Sequence, residues 1–272
     1  MAELRHRLGT ARRSFMAWAD RRTLGLDELA ATLTELGLQP GTTAMVHSSM
    51  DALGRRLPGV GPLQLIDLLR DMVGPEGTLL MPTSPFTGSQ EEYARAAPVF
   101  QVRRTPSRLG LLSEVFRRQQ DVLRSLHPTH SVAAVGPQAG ELLTQHHCGT
   151  AFGPCSPFYK LGGDQLVLGL GVGVRQAFTL WHVVEELHPP TRRRVFSAAS
   201  YPLEVVDETG PFIYQCQPLK AGVERDFVAI EKNLLKSGAL QYQRPGGLLL
   251  AGARGRDFIA AGLAYCRGQS GA

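Results

Sequence analysis

The sequence contains no apolar run long enough to cross a membrane. Its longest apolar stretches, residues 77–81 and 165–174, fall well short of the roughly 20 residues that a spanning helix needs. The N-terminus also lacks the compact apolar core of a secretory signal, and the acidic Glu3 and Asp20 argue against a transit peptide. We therefore expect no transmembrane helix and favour an amphipathic helix for the N-terminal residues.

Cysteine is scarce as well, with only four among 272 residues. Cys148, Cys155, Cys216 and Cys266 are irregularly spaced in a chain too large to need disulfide staples. We therefore expect free thiols in a reducing compartment and a cytoplasmic protein. The 43% of apolar and 19% of charged residues are typical of a folded globular chain rather than a disordered one.

Aromatic residues are few, at 7% of the chain, and this bears on what the formal charge of +5 attracts. A basic protein suits an anionic ligand, which includes nucleic acid. However, the lysines and arginines are scattered, and so few aromatics offer no stacking platform for bases. We expect a small-molecule partner and no nucleic acid.

Apolar periodicity predicts alternating helices and strands through the first two thirds of the chain. Residues 24–38, 62–73, 107–119, 137–145 and 178–187 have helical spacing, and residues 42–47, 77–82, 131–135 and 165–170 are typical of short buried strands. This rhythm predicts an α/β fold with a mixed, largely parallel central sheet flanked by helices. Ligands of such folds bind at the carboxyl ends of the strands.

The pattern changes after residue 194. Residues 201–206 and 212–215 flank Asp207-Glu208-Thr209-Gly210, which predicts a hairpin and its turn. Helices near residues 224–236 and 256–266, with a strand at 247–250 between them, complete a C-terminal α+β elaboration. No long linker interrupts the chain, so we expect a single domain over residues 1–272, with a subdomain division near residues 190–200 as the alternative.

The densest set of chemically active side chains lies at residues 179–186, at the start of a predicted helix. The spacing of i to i+3 places His182 and Glu185 on one helix face, where the carboxylate can hold one imidazole nitrogen and leave the other as a base. An imidazole is well matched to removing a proton from an attacking amine. The same spacing also fits a structural histidine beside a solvated glutamate.

Six motifs occur in the order seen in one enzyme family. They are His47-Ser48-Ser49-Met50, residues 74–83, Thr105-Pro106-Ser107 with Leu109-Gly110, Arg124 to Pro128 with Ser131, Gly153 to Pro157, and Thr179 to Glu185. With this order the chain resembles the aminoglycoside 3-N-acetyltransferase family. The resemblance implies an acyltransferase that moves an acetyl group from acetyl-CoA to an amine, with no metal.

The resemblance also implies roles for individual residues. His182 is the expected general base, Glu185 orients it, and the hydroxyl of Thr179, one turn earlier, stabilises the oxyanion. Similar proteins hold the cofactor with the loop that contains His47, Ser48 and Ser49. Thr105, Ser107, Arg108 and Gly110 form a second expected cofactor wall, because a helix N-terminus and an arginine attract a phosphate.

The acceptor is less well defined than the reaction. Aminoglycosides are polycations that usually need acidic pockets, and Glu91, Glu92 and Glu186 are candidates for one. Because the chain is net basic, the alternative is a biosynthetic enzyme that acetylates an amino sugar for a surface polysaccharide or natural product. A homodimer is left open.

Three other interpretations are weaker. The third glycine of Gly169-Leu170-Gly171-Val172-Gly173 is misplaced for a dinucleotide fingerprint. A metallohydrolase using His182, Glu185, Glu186 and His188, or His146, His147, Cys148 and Cys155, does not have zincin spacing. Cys155 is a candidate nucleophile, but no base accompanies it in the sequence.

Overall fold

The computed structural model describes residues 22–177 and 179–270. The amphipathic N-terminal helix expected from the sequence falls outside these residues. Within them, no helix combines the length and apolarity that crossing a bilayer requires. The single domain, the alternative division near residues 190–200 and the homodimer stay predictions.

Helices and strands alternate along the first part of the chain, as the apolar periodicity predicts. In order they are α1 (Leu26–Glu35), β1 (Thr43–Ser48), α2 (Met50–Gly54), α3 (Pro62–Val73), β2 (Thr78–Pro82), α4 (Gln90–Arg95), β3 (Phe100–Gln101), α5 (Leu111–Phe116), β4 (Leu123–Arg124), β5 (Val132–Val135), α6 (Ala139–Leu143), α7 (Pro157–Lys160) and β6 (Leu166–Leu170). Helix α3 has the bounds that the sequence predicts, because Pro62 opens its first turn and Gly74 ends it with a positive φ of 64°.

The remaining elements include the predicted hairpin. In order they are α8 (Val174–Ala177), α9 (Leu180–Leu187), α10 (Pro189–Val195), β7 (Tyr201–Asp207), β8 (Gly210–Cys216), α11 (Phe227–Lys236), β9 (Gln241–Gln243), a 3₁₀ turn (Pro245–Gly247), β10 (Leu250–Arg254) and α12 (Gly255–Ser270). The strand expected at residues 247–250 begins later, because the 3₁₀ turn occupies its start.

A seven-stranded mixed sheet forms the centre, in the order β4-β5-β2-β1-β6-β10-β9. Strand β1 pairs in parallel with β2 and with β6, whereas the four other pairings are antiparallel. The mixed, helix-flanked sheet is confirmed, but its parallel part is limited to three central strands rather than most of the sheet. Apolar periodicity indicates which strand residues are buried and not which way the strand runs, so the antiparallel flanks could not be foreseen.

Alternate residues of the central strands face two separate cores. Met45, Leu80 and Val167 join a core beneath α9, α11 and α12, and Ala44, Leu79 and Leu168 join a core beneath α1, α3 and α5. Because successive strand side chains point to opposite faces, a sheet buried on both faces becomes continuously apolar. The result is a sheet between two layers of helices.

The C-terminal region contributes to both sheets. The hairpin of β7 and β8 pairs with β3 in a separate three-stranded sheet, so it docks on a strand from the first half of the chain. Strands β9 and β10 then extend the central sheet beside β6. The expected elaboration after residue 194 is therefore interleaved with the first part of the fold.

Candidate active site

A cavity of about 460 Å³ opens at the carboxyl ends of β1 and β6. These two strands are parallel neighbours, so their last residues meet at one edge of the sheet, and the helices that follow β6 close over it. The side chains that line the cavity include His47, Ser48, Leu109, Ser113, Arg175, Gln176, Thr179, His182, Arg225 and Phe227.

His182 and Glu185 form a hydrogen-bonded pair on α9. The Nδ1 atom of His182 lies 2.7 Å from Oε2 of Glu185. The carboxylate is buried, with 1% of its side chain exposed, whereas His182 is 22% exposed and lines the cavity. One helical turn therefore carries a buried carboxylate below an accessible imidazole, and since Nδ1 faces Glu185, Nε2 is the nitrogen available to a substrate.

Glu185 accepts further hydrogen bonds from two other side chains. Arg225 donates through Nε to Oε1 at 2.6 Å and through Nη2 to Oε2 at 3.2 Å. The indole Nε1 of Trp181 donates to Oε1 at 3.1 Å. Burial by itself raises the pKa of Glu185, but the hydrogen bonds and charges of His182 and Arg225 outweigh it and lower the pKa to about 2. The carboxylate is thus ionised at neutral pH.

Thr179 faces the end of β1 rather than the Glu185 pair. Its Oγ1 lies 3.3 Å from Nε2 of His47, and both side chains line the cavity. His47 is buried, and burial lowers its pKa to about 3, so its imidazole is neutral. The last residues of β1 and the first residues before α9 are brought together here across 132 positions of sequence.

The two serines that follow His47 have different surroundings. Ser48 lines the cavity. Ser49 is the N-cap of α2, where its hydroxyl accepts a hydrogen bond from the backbone N–H of Ala52 at 3.3 Å. The structure therefore brings His47 and Ser48 to the cavity with His182, and the Ser49 side chain has a local structural contact.

The second predicted cofactor segment approaches the cavity through different residues. The hydroxyl of Thr105 accepts a hydrogen bond from the backbone N–H of Gln101, and the hydroxyl of Ser107 bonds to that of Ser113 at 2.9 Å. Arg108 and Gly110 are exposed. Leu109 and Ser113 line the cavity instead. The helix expected from residue 107 begins only at Leu111, so Ser107 and Arg108 precede the helix instead of forming its first turn.

The predicted acidic residues lie outside the described lining of this cavity. Glu91 accepts a hydrogen bond from the backbone N–H of Ala221 at 3.0 Å, and Glu92 is exposed on α4. Glu186, the next residue along α9, accepts hydrogen bonds from Thr150 at 3.1 Å and Arg192 at 3.0 Å. None of the three is among the residues that line the cavity.

Sequence reasoning missed Arg225, Arg175 and Phe152. Arg225 lies 40 positions from Glu185, in no motif, just before α11. Arg175 lines the cavity and pairs with Glu231 through two hydrogen bonds. The ring of Phe152 packs on that of His182, with centroids 4.9 Å apart. Arg225 directly precedes Asp226, the N-cap of α11, but the sequence predicts a helix already near residue 224, so this cap gives only a weak signal.

A cluster of buried histidines lies behind the cavity. His146 bonds to Ser125 through Nδ1 at 2.9 Å and to the carbonyl of Ala151 through Nε2 at 3.2 Å. His127 bonds to the hydroxyl of Tyr214 through Nε2 at 2.8 Å. Both imidazoles are therefore held by hydrogen bonds to other parts of the protein. Across residues 22–177 and 179–270, no group of three or more His, Cys, Asp or Glu residues is arranged to hold a metal ion.

The chain is similar to proteins of one family. The family model described as aminoglycoside 3-N-acetyltransferase matches residues 45–265. Aminoglycoside N(3)-acetyltransferase VII of Streptomyces paromomycinus is 32% identical over 90% of this chain and 83% of that protein. Aminoglycoside N(3)-acetyltransferase III of Serratia marcescens is 34% identical over 62% of this chain and 67% of that protein.

Solved structures give the same result at the level of the fold. AAC-IIIb, in a binary complex with CoASH, matches with a TM-score of 0.75 and 26% identity, over 91% of this chain and 97% of that one. AAC-VIa with bound sisomicin matches with a TM-score of 0.73 and 25% identity, over 91% of this chain and 99% of that one.

Proposed function

The chain belongs to the aminoglycoside 3-N-acetyltransferase family, and on this premise we propose that it transfers an acetyl group from acetyl-CoA directly to an amine of an aminoglycoside or related amino sugar, with His182 as general base. The observation that carries the proposal is the hydrogen bond of 2.7 Å between Nδ1 of His182 and the buried, ionised Glu185. This pair opens on a cavity at the end of β1, where the motif that resembles the family's cofactor loop is found.

The proton balance of the proposed reaction involves His182 alone among the residues of the chain. The acceptor nitrogen forms a bond to the acetyl carbonyl carbon, and Nε2 of His182 takes the proton that this nitrogen loses. Glu185 holds Nδ1–H and stabilises the imidazolium that forms. The carbon–sulfur bond then breaks, and the thiol leaves with a proton that His182 can return. No acyl-enzyme is needed.

The remaining roles are assigned from position in the cavity. Thr179 presents its hydroxyl one turn before His182, where it stabilises the negative charge that develops on the carbonyl oxygen. His47 and Ser48 contribute polar groups at the end of β1, and Arg175 contributes a positive charge that suits the phosphates of coenzyme A. Cofactor binding by Ser49, Thr105, Ser107, Arg108 and Gly110, which are not among the residues that line the cavity, stays a prediction.

The charge of the cavity favours a second candidate acceptor. The cavity lining includes Arg175 and Arg225 but, among the residues described there, no carboxylate. A polycation binds best beside carboxylates, so an amino sugar with fewer amines is the better fit to this lining. This observation supports a biosynthetic amino-sugar N-acetyltransferase for a surface polysaccharide or natural product. Acceptor binding by Glu91, Glu92 and Glu186 stays a prediction.

The proposal is tested by thiol release from acetyl-CoA with a panel of aminoglycosides and neutral amino sugars. We expect His182→Ala to lower kcat by about 10²–10⁴-fold, since that is the usual contribution of a positioned general base. His147→Ala is the matched control, because this half-buried histidine lies outside the cavity lining. Its kcat should remain close to that of the wild type.

The outcomes separate the candidates. Turnover of aminoglycosides that disappears in His182→Ala supports the family activity and the base together. Turnover of amino sugars alone favours the biosynthetic enzyme. Turnover that survives in His182→Ala refutes the role of the base, and tight coenzyme A binding without turnover of any amine refutes the proposed acceptor class.

A further inference from the structure

Arg225 lies between two cavities. One is the cavity that contains His182, and the other, of about 360 Å³, lies on the far side of the Glu185 carboxylate. Arg225 lines both, Glu185 lines the second, and only 14% of the Arg225 side chain is exposed. The guanidinium and the Glu185 carboxylate therefore lie between the cavity that contains His182 and this second space.

The contacts of Arg225 fix the plane of the carboxylate. Its Nε and Nη2 atoms bond to the two oxygens of Glu185 at 2.6 and 3.2 Å, and its Nη1 donates to the carbonyl of Val223 at 3.0 Å. A guanidinium that bonds to both oxygens of a carboxylate sets its orientation as well as its charge. Oε2 is consequently directed at Nδ1 of His182.

The charges in this group sum to zero when His182 is neutral. Glu185 contributes one negative charge and Arg225 one positive charge. Without the arginine, a buried and uncompensated carboxylate would favour a proton on itself or on the imidazole, and either site would remove the free base. Since the proposed reaction needs an unprotonated His182 to take the proton of the attacking amine, this charge balance matters for the reaction.

Other titratable groups surround the pair but do not replace Arg225. On the side of the active cavity they are His47 on β1, His130 before β5, and Arg175 on α8 with its partner Glu231 on α11. On the far side they are Arg194 on α10, Glu224 and Asp226 beside Arg225, and Tyr265 and Cys266 on α12.

Burial keeps His47 and His130 neutral by lowering their pKa, and keeps Cys266 neutral by raising its pKa. Among the described residues, Arg225 is the one arginine or lysine that is hydrogen-bonded to Glu185.

We propose that Arg225 is a positioning residue that offsets the charge of Glu185 and so keeps the pair of His182 and Glu185 from taking up a proton at neutral pH. The inference rests on the proposed function of His182 as general base. It assigns to Arg225 an effect on the pH at which the base becomes available, which a purely structural contact would not have.

The test is the pH profile of kcat/KM for the wild type, Arg225→Gln and Arg225→Lys. We expect the acid limb of Arg225→Gln to move to higher pH by about one unit, the lower end of the effect of a nearby opposite charge. At a pH below both limbs, the kcat/KM of Arg225→Gln should be about tenfold lower than that of the wild type. The difference should disappear as the pH rises above both limbs. Arg225→Lys keeps the positive charge but cannot bond to both oxygens of Glu185 in the same plane. The acid limb of this variant should therefore stay in place while its kcat falls.

Arg70→Gln is the matched control. Arg70 on α3 also bonds to both oxygens of a carboxylate, that of Asp121, at 2.7 and 3.0 Å, and it lies outside both cavities. Its profile should overlay that of the wild type. A profile of Arg225→Gln that is only scaled down, with an unmoved limb, overturns the inference, and so does a limb that moves equally in Arg225→Lys.

A second measurement separates failure of the inference from failure of the proposed function. The titration of the His182 ring is followed by NMR in the substrate-free protein, with its signal assigned by its loss in His182→Ala. The midpoint should be higher in Arg225→Gln than in the wild type even if no tested amine is acetylated. Equal midpoints overturn the charge balance, whereas an absence of thiol release with a shifted midpoint refutes only the proposed activity.

Discussion

If His182 is the general base as proposed, replacing Glu185 with glutamine should disable that base while keeping the size of the side chain at position 185. Each carboxylate oxygen accepts two donors, Trp181 and Arg225 on Oε1, and His182 and Arg225 on Oε2. The amide of Gln has one NH₂ group, so in either orientation this donor faces two other donors. If the NH₂ group faces His182, Nδ1 must become an acceptor, and the proton moves to Nε2, where the base must accept one.

The size of the effect follows from burial and from the lost tautomer. Removing the charge leaves Arg225 without its partner in a mostly buried position, and breaking a buried ion pair in this way costs about 3–5 kcal/mol of the free energy of unfolding. Loss of the correctly protonated and oriented base should lower kcat by about 10²–10⁴-fold. The KM for acetyl-CoA should change little, because Glu185 does not line the active cavity.

The assay combines steady-state thiol release with urea unfolding at pH 7. Asp121→Asn is the control, since it removes the carboxylate of an arginine pair that is exposed and remote from the cavity, and its kcat should be unchanged. A Glu185→Gln enzyme with kcat within about threefold of the wild type would refute the role of Glu185 in setting the His182 tautomer. A variant with a low kcat but an unchanged free energy of unfolding would refute only the expected cost of breaking the ion pair.

Two predictions concern the fold. Burial lowers the pKa of His146 to about 3, although its bond to Ala151 acts in the opposite direction. The unfolded chain therefore takes up a proton at this histidine first, as the pH falls below about 6.5. About 2 kcal/mol of the free energy of unfolding should be lost at pH 5 for this reason. Between pH 7 and 5, the free energy of unfolding in urea should fall less for His146→Gln than for the wild type. An equal fall in both proteins would contradict this expectation. Gly136 has a φ of 120°, and a Cβ there would lie 2.3 Å from the carbonyl oxygen of Gly77, so Gly136→Ala should cost about 2–4 kcal/mol. Gly140→Ala is its control on α6, where nothing lies within 4 Å, and a thermal midpoint equal in both variants would refute the strain.

Features set by neighbouring residues could be predicted from the sequence. Helix α3 was predicted with both of its bounds, because Pro62 and Gly74 act within one turn of the chain. The approach of His182 to Glu185 was predicted from the helical spacing of i to i+3, and the structure gives it as a hydrogen bond of 2.7 Å. The hairpin of β7 and β8 followed from its turn residues.

Features set by distant residues could not be predicted in this way. The directions of β5, β9 and β10 depend on which strand each one meets, and that choice is made by the packing of the whole sheet. The contact between Arg225 and Glu185 spans 40 positions, with two strands and a helix between them. The sequence predicts a helix that begins at residue 107 beside the cavity, but α5 begins at Leu111, and Leu109 before it and Ser113 within it line the cavity instead.

The sequence by itself determined the local elements, the alternation that builds a layered fold, and the pairing of a histidine with a carboxylate on one helical turn. These follow from interactions within a few residues, whose geometry the backbone fixes. Only the tertiary structure decided that Arg225 meets Glu185 and that the ends of β1 and β6 enclose His182 in one cavity. Such contacts depend on how distant segments bury their apolar faces against each other, and this packing is a property of the whole chain.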